Sequence, residues 1–459
     1  MSRLLACRRA GVLLHPTSLP SGKIDADVER FLDFMQQHKL RVWQVLPLGI
    51  PDHTGSPYQS CSAFAADPGL LGLDDERHML DAVDPAELKA FRTQQAYWVE
   101  DFACFTVLSR QFDEAPWYDW PEALRDRDPG ALAGFAAQYH GDVEAEVIRQ
   151  FLLEKRWQAI RKAAAKHDVL LFGDMPIFVA LNSADVWANQ DQFLLDGDAE
   201  PTHVAGVPPD YFSATGQLWG NPHYNWKRMQ QDDFSWWHAR IRRMLSWFDL
   251  VRLDHFRGLV ESWMIPAEAE TAVEGFWQAV PGEELLDSLH AEFEDLPIVA
   301  EDLGVITPDV DALRHQFDLP GMAVLQFSFD ASDDNPHKPK NIGPDRVVYT
   351  GTHDNDTTLG WYQSLEPEVQ RHVREVLKID EDDDVVNAML DTALKTKGAL
   401  VMFPMQDLLG LGAEARMNVP GKTDANWQWH FRWSQVDAAE ERLKYFSQLV
   451  GKTGRADEC

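Results

Sequence analysis

Residues 250–256 read Leu-Val-Arg-Leu-Asp-His-Phe (LVRLDHF) and follow the segment SWFD at 246–249. The apolar residues promise a buried strand, yet the stretch carries an arginine, an aspartate and a histidine. Side chains leave a strand alternately to its two faces, so Arg252 and Asp254 point to the same side. A strand that is apolar through its length and polar where it ends suits a parallel barrel, whose strands deliver functional side chains at their C-terminal rim.

Seven further apolar runs have the same character. They are GVLLH (11–15), RVWQVLPLG (41–49), VLLFGDMPIF (169–178), PIVAEDL (297–303), MAVLQFSF (322–329), RVVYTGTHD (346–354) and ALVMFPMQD (399–407). Segments with helical spacing separate them, among them residues 28–39, 145–167 and 310–317. Strands alternating with helices pair in parallel through crossovers, and eight such units predict a closed (β/α)8 TIM barrel. An open doubly wound sheet is the alternative, but it leaves the polar strand ends unexplained and no glycine-rich nucleotide loop is present.

Two connections exceed ordinary βα loops, at about 50–168 after the second strand and 179–248 after the third. They are expected to form subdomains over the C-terminal face, the first largely helical and the second an active-site loop region. The whole chain, 1–459, then reads as one catalytic barrel domain. The acidic run Asp380 to Asp384 reads as a solvated helix start rather than a metal site.

Bulk properties narrow the partners. The chain has 459 residues, 45% hydrophobic and 25% charged, and no run near the roughly 18 apolar residues of a membrane span. A net charge of −32 repels nucleic acid and anionic lipid but leaves a neutral substrate unhindered. Four cysteines without paired spacing disfavour a disulfide framework or zinc site, and the N-terminal apolar segment is broken by Arg8 and Arg9. A cytoplasmic location is expected, with no membrane contact.

Three acids fall at strand ends: Asp254 after the fourth, Glu301 after the fifth and Asp354 after the seventh. Splitting an acetal bond between sugars needs a proton donor for the leaving oxygen and a carboxylate at the anomeric carbon. Arg252 would keep Asp254 ionised, while the apolar PIVA before Glu301 would raise its pKa and preserve a transferable proton. The competing reading is structural: an Arg252–Asp254 ion pair, with Glu301 and Asp302 capping the next helix.

VRLDHFRG (251–258), VAEDLG (299–304) and TGTHDNDTT (350–358) resemble the catalytic segments of glycoside hydrolase family 77, the 4-α-glucanotransferases or amylomaltases, relatives of the α-amylases. LHPTSLPS (14–21), WQVLPLG (43–49), GSPYQS (55–60), GDMPIF (173–178), SADVW (183–187), GVPPDYFSATGQLWGNP (206–222) and NWQW (426–429) extend the similarity along the chain. The resemblance implies Asp254 as nucleophile, Glu301 as general acid/base and Asp354 as a third carboxylate stabilising the transition state, with Arg252 and His353 in support. It places Tyr211 and Trp219 along the glucan path, Ser56 and Tyr58 on the donor side, and Asp174, His255, Asp330 and Asn426 as sugar contacts. It also implies no cofactor, no C-terminal β-sandwich, and a glucan donor with a glucose or maltooligosaccharide acceptor. Protein partners are not indicated.

The carboxylates alone do not separate a transferase from a retaining hydrolase, or from a silent glucan-binding protein. The loop at 205–226 is expected to decide, because Tyr211, Phe212, Trp219, Tyr224 and Trp226 offer aromatic faces for stacking on glucose rings and for limiting water. One departure stands out: Ala214 occupies a position of the FSxTG segment where the family often has an acid.

Overall fold

The structure, a computed structural model, describes residues 5–72, 79–80, 82–209, 213–380, 385–422 and 424–456. Twelve strands are formed among them: β1 Arg9–Leu13, β2 Val42–Gln44, β3 Leu170–Met175, β4 His203–Val207, β5 Gln217–Pro222, β6 Leu250–Leu253, β7 Glu261–Pro266, β8 Phe276–Ala279, β9 Ile298–Ala300, β10 Gly321–Val324, β11 Arg346–Tyr349 and β12 Leu400–Pro404. Eight make one parallel sheet in the order β10-β11-β12-β1-β2-β3-β6-β9. All eight fall at the apolar runs read from the sequence.

The ends of this sheet meet. The Ala300 N–H donates to Pro320 O at 2.8 Å, and the Met322 N–H donates to the Asp302 carboxylate at 2.7 Å. Asp302 is buried, accepts a hydrogen bond from Arg346 and lies 3.3 Å from the Arg314 guanidinium. A Cβ on Gly321 would stand 2.3 Å from both the Asp302 carboxylate and Arg346, so a larger residue there would push this ion pair aside. The Glu301-Asp302 dipeptide is therefore split by strand geometry, with Asp302 stapling the barrel seam rather than capping a helix.

Period two sorts the rest. Val42, Phe172, Leu250, Val299, Met322, Val324, Val347, Tyr349, Leu400 and Met402 form one buried cluster with Leu5, while Val12, Trp43, Leu171, Val251, Leu253, Ala300, Val348 and Phe403 pack in a second cluster with the helices. In the first set each apolar side chain removed from water contributes roughly 1.5–3 kcal/mol. Toward the C-terminal ends the same alternating positions turn polar: Phe172 is followed by Asp174, Leu250 by Arg252, and Val299 by Glu301.

The surrounding helices follow the apolar spacing. In Ala26–Gln37 the residues Val28, Phe31, Leu32 and Met35 are buried, at the i, i+3, i+4, i+7 pattern of one face, and Asp25 caps the start. The connection between β2 and β3 carries the helices Pro85–Gln94, Val99–Gln111 and Pro129–Gln138 and ends in the 27-residue helix His140–Lys166. The remaining strands form a second, antiparallel sheet in the order β5-β4-β7-β8. Its first two strands lie in the connection between β3 and β6. Its other two lie between β6 and β9, so a third insertion follows the fourth strand, which the reading of two insertions missed.

Cys61 and Cys104 are free, whereas Cys7 is disulfide-bonded, a cross-link that spacing did not announce. Among the described residues no helix is long and apolar enough to cross a membrane.

Candidate active site

Asp254 and Glu301 leave neighbouring strands one register step beyond the pair Leu253↔Ala300. Backbone pairing continues past the strands, with the Glu301 N–H on Leu253 O at 3.0 Å and the Phe256 N–H on Glu301 O at 3.0 Å. Both acids are thus fixed by the sheet rather than by a loop. His255 between them adopts a left-handed backbone (φ 52°), which turns the chain from β6 into the short helix Phe256–Leu259.

Arg252 is the hub. Its Nη1 donates to both carboxylate oxygens of Asp174 at 2.8 Å, and its Nη2 donates to Asp254 Oδ1 at 2.6 Å. Burial opposes its charge, but Asp174 and Asp254 more than offset this and hold its pKa well above the ordinary arginine value. The Asp174 side chain is 0% exposed and also accepts from the Tyr58 hydroxyl at 2.8 Å, so it is placed to hold Arg252 rather than to meet a sugar. Asp254, 29% exposed, remains reachable.

Glu301 accepts the His255 N–H at 2.7 Å and the Leu303 N–H at 2.9 Å, one on each oxygen. Burial nonetheless raises its pKa to about 7; Arg252 and the two N–H groups pull it down and the Asp254 charge pushes it up.

The third acid belongs to a loop. Asp354 lies five residues past β11, 46% exposed, with Asn418 Nδ2 donating to its Oδ1 at 2.6 Å and His353 Nε2 at 3.4 Å from its Oδ2. The His353 ring stacks on Tyr58, centroids 5.2 Å apart and planes 13° apart, and Trp427 lies 5.9 Å from each. Asp407, fully buried after β12, accepts from Thr350 Oγ1 at 2.6 Å and from the Thr358 N–H and Oγ1 at 2.7 Å, pinning both ends of the loop that carries His353 and Asp354. One chain of contacts therefore runs from Asp254 through Arg252, Asp174, Tyr58 and His353 to Asp354.

The other expected contacts divide. Trp219 on β5 sets its ring edge-on to His255 at 4.9 Å, bringing the second sheet to the barrel mouth. Burial lowers the His255 pKa to about 4, and its Nε2 has no hydrogen-bond partner. Ser56 Oγ accepts the Tyr58 N–H at 3.3 Å and so supports the turn that carries Tyr58. Asp330 is exposed and pairs with Lys338 at 3.5 Å, outside the contact chain. Asn426 spends its amide on Val419 and Lys422, shaping the loop that holds Asn418 and Trp427. Tyr211 and Phe212 lie outside the described residues. Tyr224 and Trp226, read as possible stacking faces, are buried in an aromatic core with Phe178, Phe193, Trp236 and Trp237.

Arg416, Asn418, Trp427 and Asp407 were missed by the sequence reading. Trp427 carried a signal through the quoted NWQW, and Asp407 as the acid that ends the run ALVMFPMQD. Among the described residues no group of three or more His, Cys, Asp or Glu side chains could hold a metal ion.

A barrel mouth that sets a buried carboxyl beside an arginine-held carboxylate suits one class: enzymes that make and break glycosidic bonds. Comparison with known proteins narrows it. The profile of glycoside hydrolase family 77, described as 4-alpha-glucanotransferase, matches residues 13–81 and 75–435. A 4-alpha-glucanotransferase of Thermus thermophilus is 42% identical over 92% of this chain and 94% of its own length, and one of Synechocystis is 38% identical over 98% and 99%. The amylomaltase of Streptococcus agalactiae, solved in complex with acarbose, superposes with a TM-score of 0.93 at 31% identity, covering 98% of this chain and 100% of that one. The chain belongs to glycoside hydrolase family 77, the 4-α-glucanotransferases.

Proposed function

We propose that the protein transfers α-1,4-glucan segments between maltooligosaccharides by a retaining double displacement. The observation that carries the mechanism is the shared register of Asp254 and Glu301. Neighbouring strands stand about 4.8 Å apart, so the shared register sets the two acids side by side at the barrel mouth, and the retaining reading expects their carboxyl groups to lie roughly 5–5.5 Å apart.

Asp254 attacks the anomeric carbon as the bond to the departing glucan breaks and Glu301 gives its proton to the leaving oxygen. The 4-hydroxyl of an acceptor sugar then loses its proton to Glu301, and its oxygen displaces the Asp254 carboxylate and restores the α-1,4 link. Arg252 holds the Asp254 carboxylate by its 2.6 Å hydrogen bond. Asp354 and His353 hold hydroxyls of the distorted sugar, Tyr58 and Trp219 offer ring faces along the path, and His255, whose Nε2 is buried, backs the Trp219 ring. Tyr211 and Asp330 are assigned to that path by family resemblance alone. Asp174 and Asn426 are assigned to holding Arg252 and the 417–427 loop.

A cytoplasmic location belongs to the same proposal, and the Cys7 disulfide makes cell fractionation worth performing. The reaction class is tested with maltotriose. A transferase converts it to glucose plus a ladder of longer oligosaccharides; exclusive release of shorter sugars at high acceptor concentration assigns hydrolysis instead.

A further inference from the structure

Asp354 differs from the other two acids in having no strand to hold it. It sits on a loop with its side chain 46% exposed. Its position is set by a second loop, after β12, and one guanidinium ties the two together. Arg416 Nε donates to Asn418 O at 2.7 Å, Arg416 Nη2 donates to Asp354 O at 2.7 Å, and Nη1 lies 3.9 Å from the Asp356 carboxylate. Between the two gripped carbonyls runs the 2.6 Å hydrogen bond from Asn418 Nδ2 to Asp354 Oδ1. Arg416 thus brackets that bond by holding the backbone of the donor and of the acceptor. The loop beyond is closed on itself by Asn426 and by the Trp427 N–H on Met417 O at 2.8 Å, so Asn418 is presented from a preformed turn.

We propose that Arg416 is a positioning residue for Asp354 and Asn418, acting on transition-state stabilisation rather than on ground-state glucan binding. This rests on the reading of Asp354 as the third carboxylate. A planar guanidinium offers donors at fixed separation and can span two carbonyls; a lysine ammonium gathers its three donors on one nitrogen at the end of a flexible stem and does not reproduce that span. Asp354 acts most strongly when positive charge develops on the sugar ring, and small displacements of a group aimed at that charge are costly: about 1 Å can lower a rate by about a hundredfold.

The test compares Arg416→Ala, Arg416→Lys, Asn418→Ala, the Arg416→Ala/Asn418→Ala double variant and Asp354→Asn, on maltotriose. Readouts are kcat, KM, acarbose inhibition and Tm. Arg416→Ala is expected to lower kcat about 10- to 100-fold with KM within about twofold, and to weaken acarbose, whose unsaturated ring imitates the flattened sugar, in parallel with kcat/KM. Arg416→Lys should recover little of this, and the double variant should be no worse than the more impaired single one, because both act through the same carboxylate. Wild-type kcat and acarbose affinity in Arg416→Ala, or a loss that only tracks the unfolded fraction, overturns the proposal while Asp354→Asn remains inactive. Full activity in Asp354→Asn overturns instead the role given to Asp354.

Discussion

Glu301 holds opposing influences within a few ångströms. Two backbone N–H groups favour its anion, while burial and the nearby Asp254 charge favour its acid, and the balance lies at about 7. A general acid must carry its proton, so activity should fall as pH rises through about 7. The measurement is the pH profile of kcat/KM, which reports the free enzyme. An alkaline limb flat to pH 9 would remove Glu301 from the role, and Glu301→Gln should lose at least about a hundredfold in kcat. The shift also bears on stability. A carboxyl raised from an ordinary 4.5 to about 7 contributes stability that is fully present below about 4.5 and lost as pH rises through 7. The Glu301→Gln variant, which has no charge to bury, should therefore gain relative to wild type between pH 5 and pH 8, by on the order of 1–3 kcal/mol. Denaturant unfolding at the two pH values checks the sign; the lost acceptor for one N–H displaces both values equally and cancels.

At the scale of elements, the barrel strands were legible because each is a mainly apolar run and because polar residues gather toward its C-terminal end. Period two put Arg252 and Asp254 on one side of their strand, and the apolar PIVA marked Glu301 as an acid at a strand end, which is what drew attention to them. The second sheet could not be read in this way. Gly206, Gly220 and Pro222 interrupt β4 and β5, and Phe276 on the edge strand β8 is exposed, so no alternation marks them. Nor could Arg416 and Asn418, whose meaning arises from contact with residues more than 60 positions away. Asp302 was legible as an acid but not as the staple of the barrel seam. Asp302→Ala leaves Arg314, buried, and Arg346 without their shared partner and frees the Met322 N–H, so it should cost about 3–5 kcal/mol, read as a lower denaturant midpoint. A loss below about 1 kcal/mol would mean that β9 and β10 are held by their remaining contacts.

Across the whole molecule, the site and the surface obey different electrostatics. Arg252 is buried among its carboxylates, so dissolved ions screen that cluster little. The surface is another matter, because a net charge of −32 spread over one folded chain repels itself and opposes the compact state. The Debye length shrinks from about 10 Å at 0.1 M salt to about 3 Å at 1 M, which removes much of that repulsion. A glucan carries no charge, so its approach gains or loses nothing from the same screening. Raising NaCl from 0.1 to 1 M should therefore increase Tm by several degrees while KM for maltotriose stays within about twofold. Thermal unfolding and initial rates across that series separate the two effects. A Tm that falls with salt would show that surface ion pairs such as Arg127–Asp101 and Lys155–Glu87 outweigh the excess acid. A KM that changes tenfold would show that ions reach the glucan path, against the burial of its charged floor.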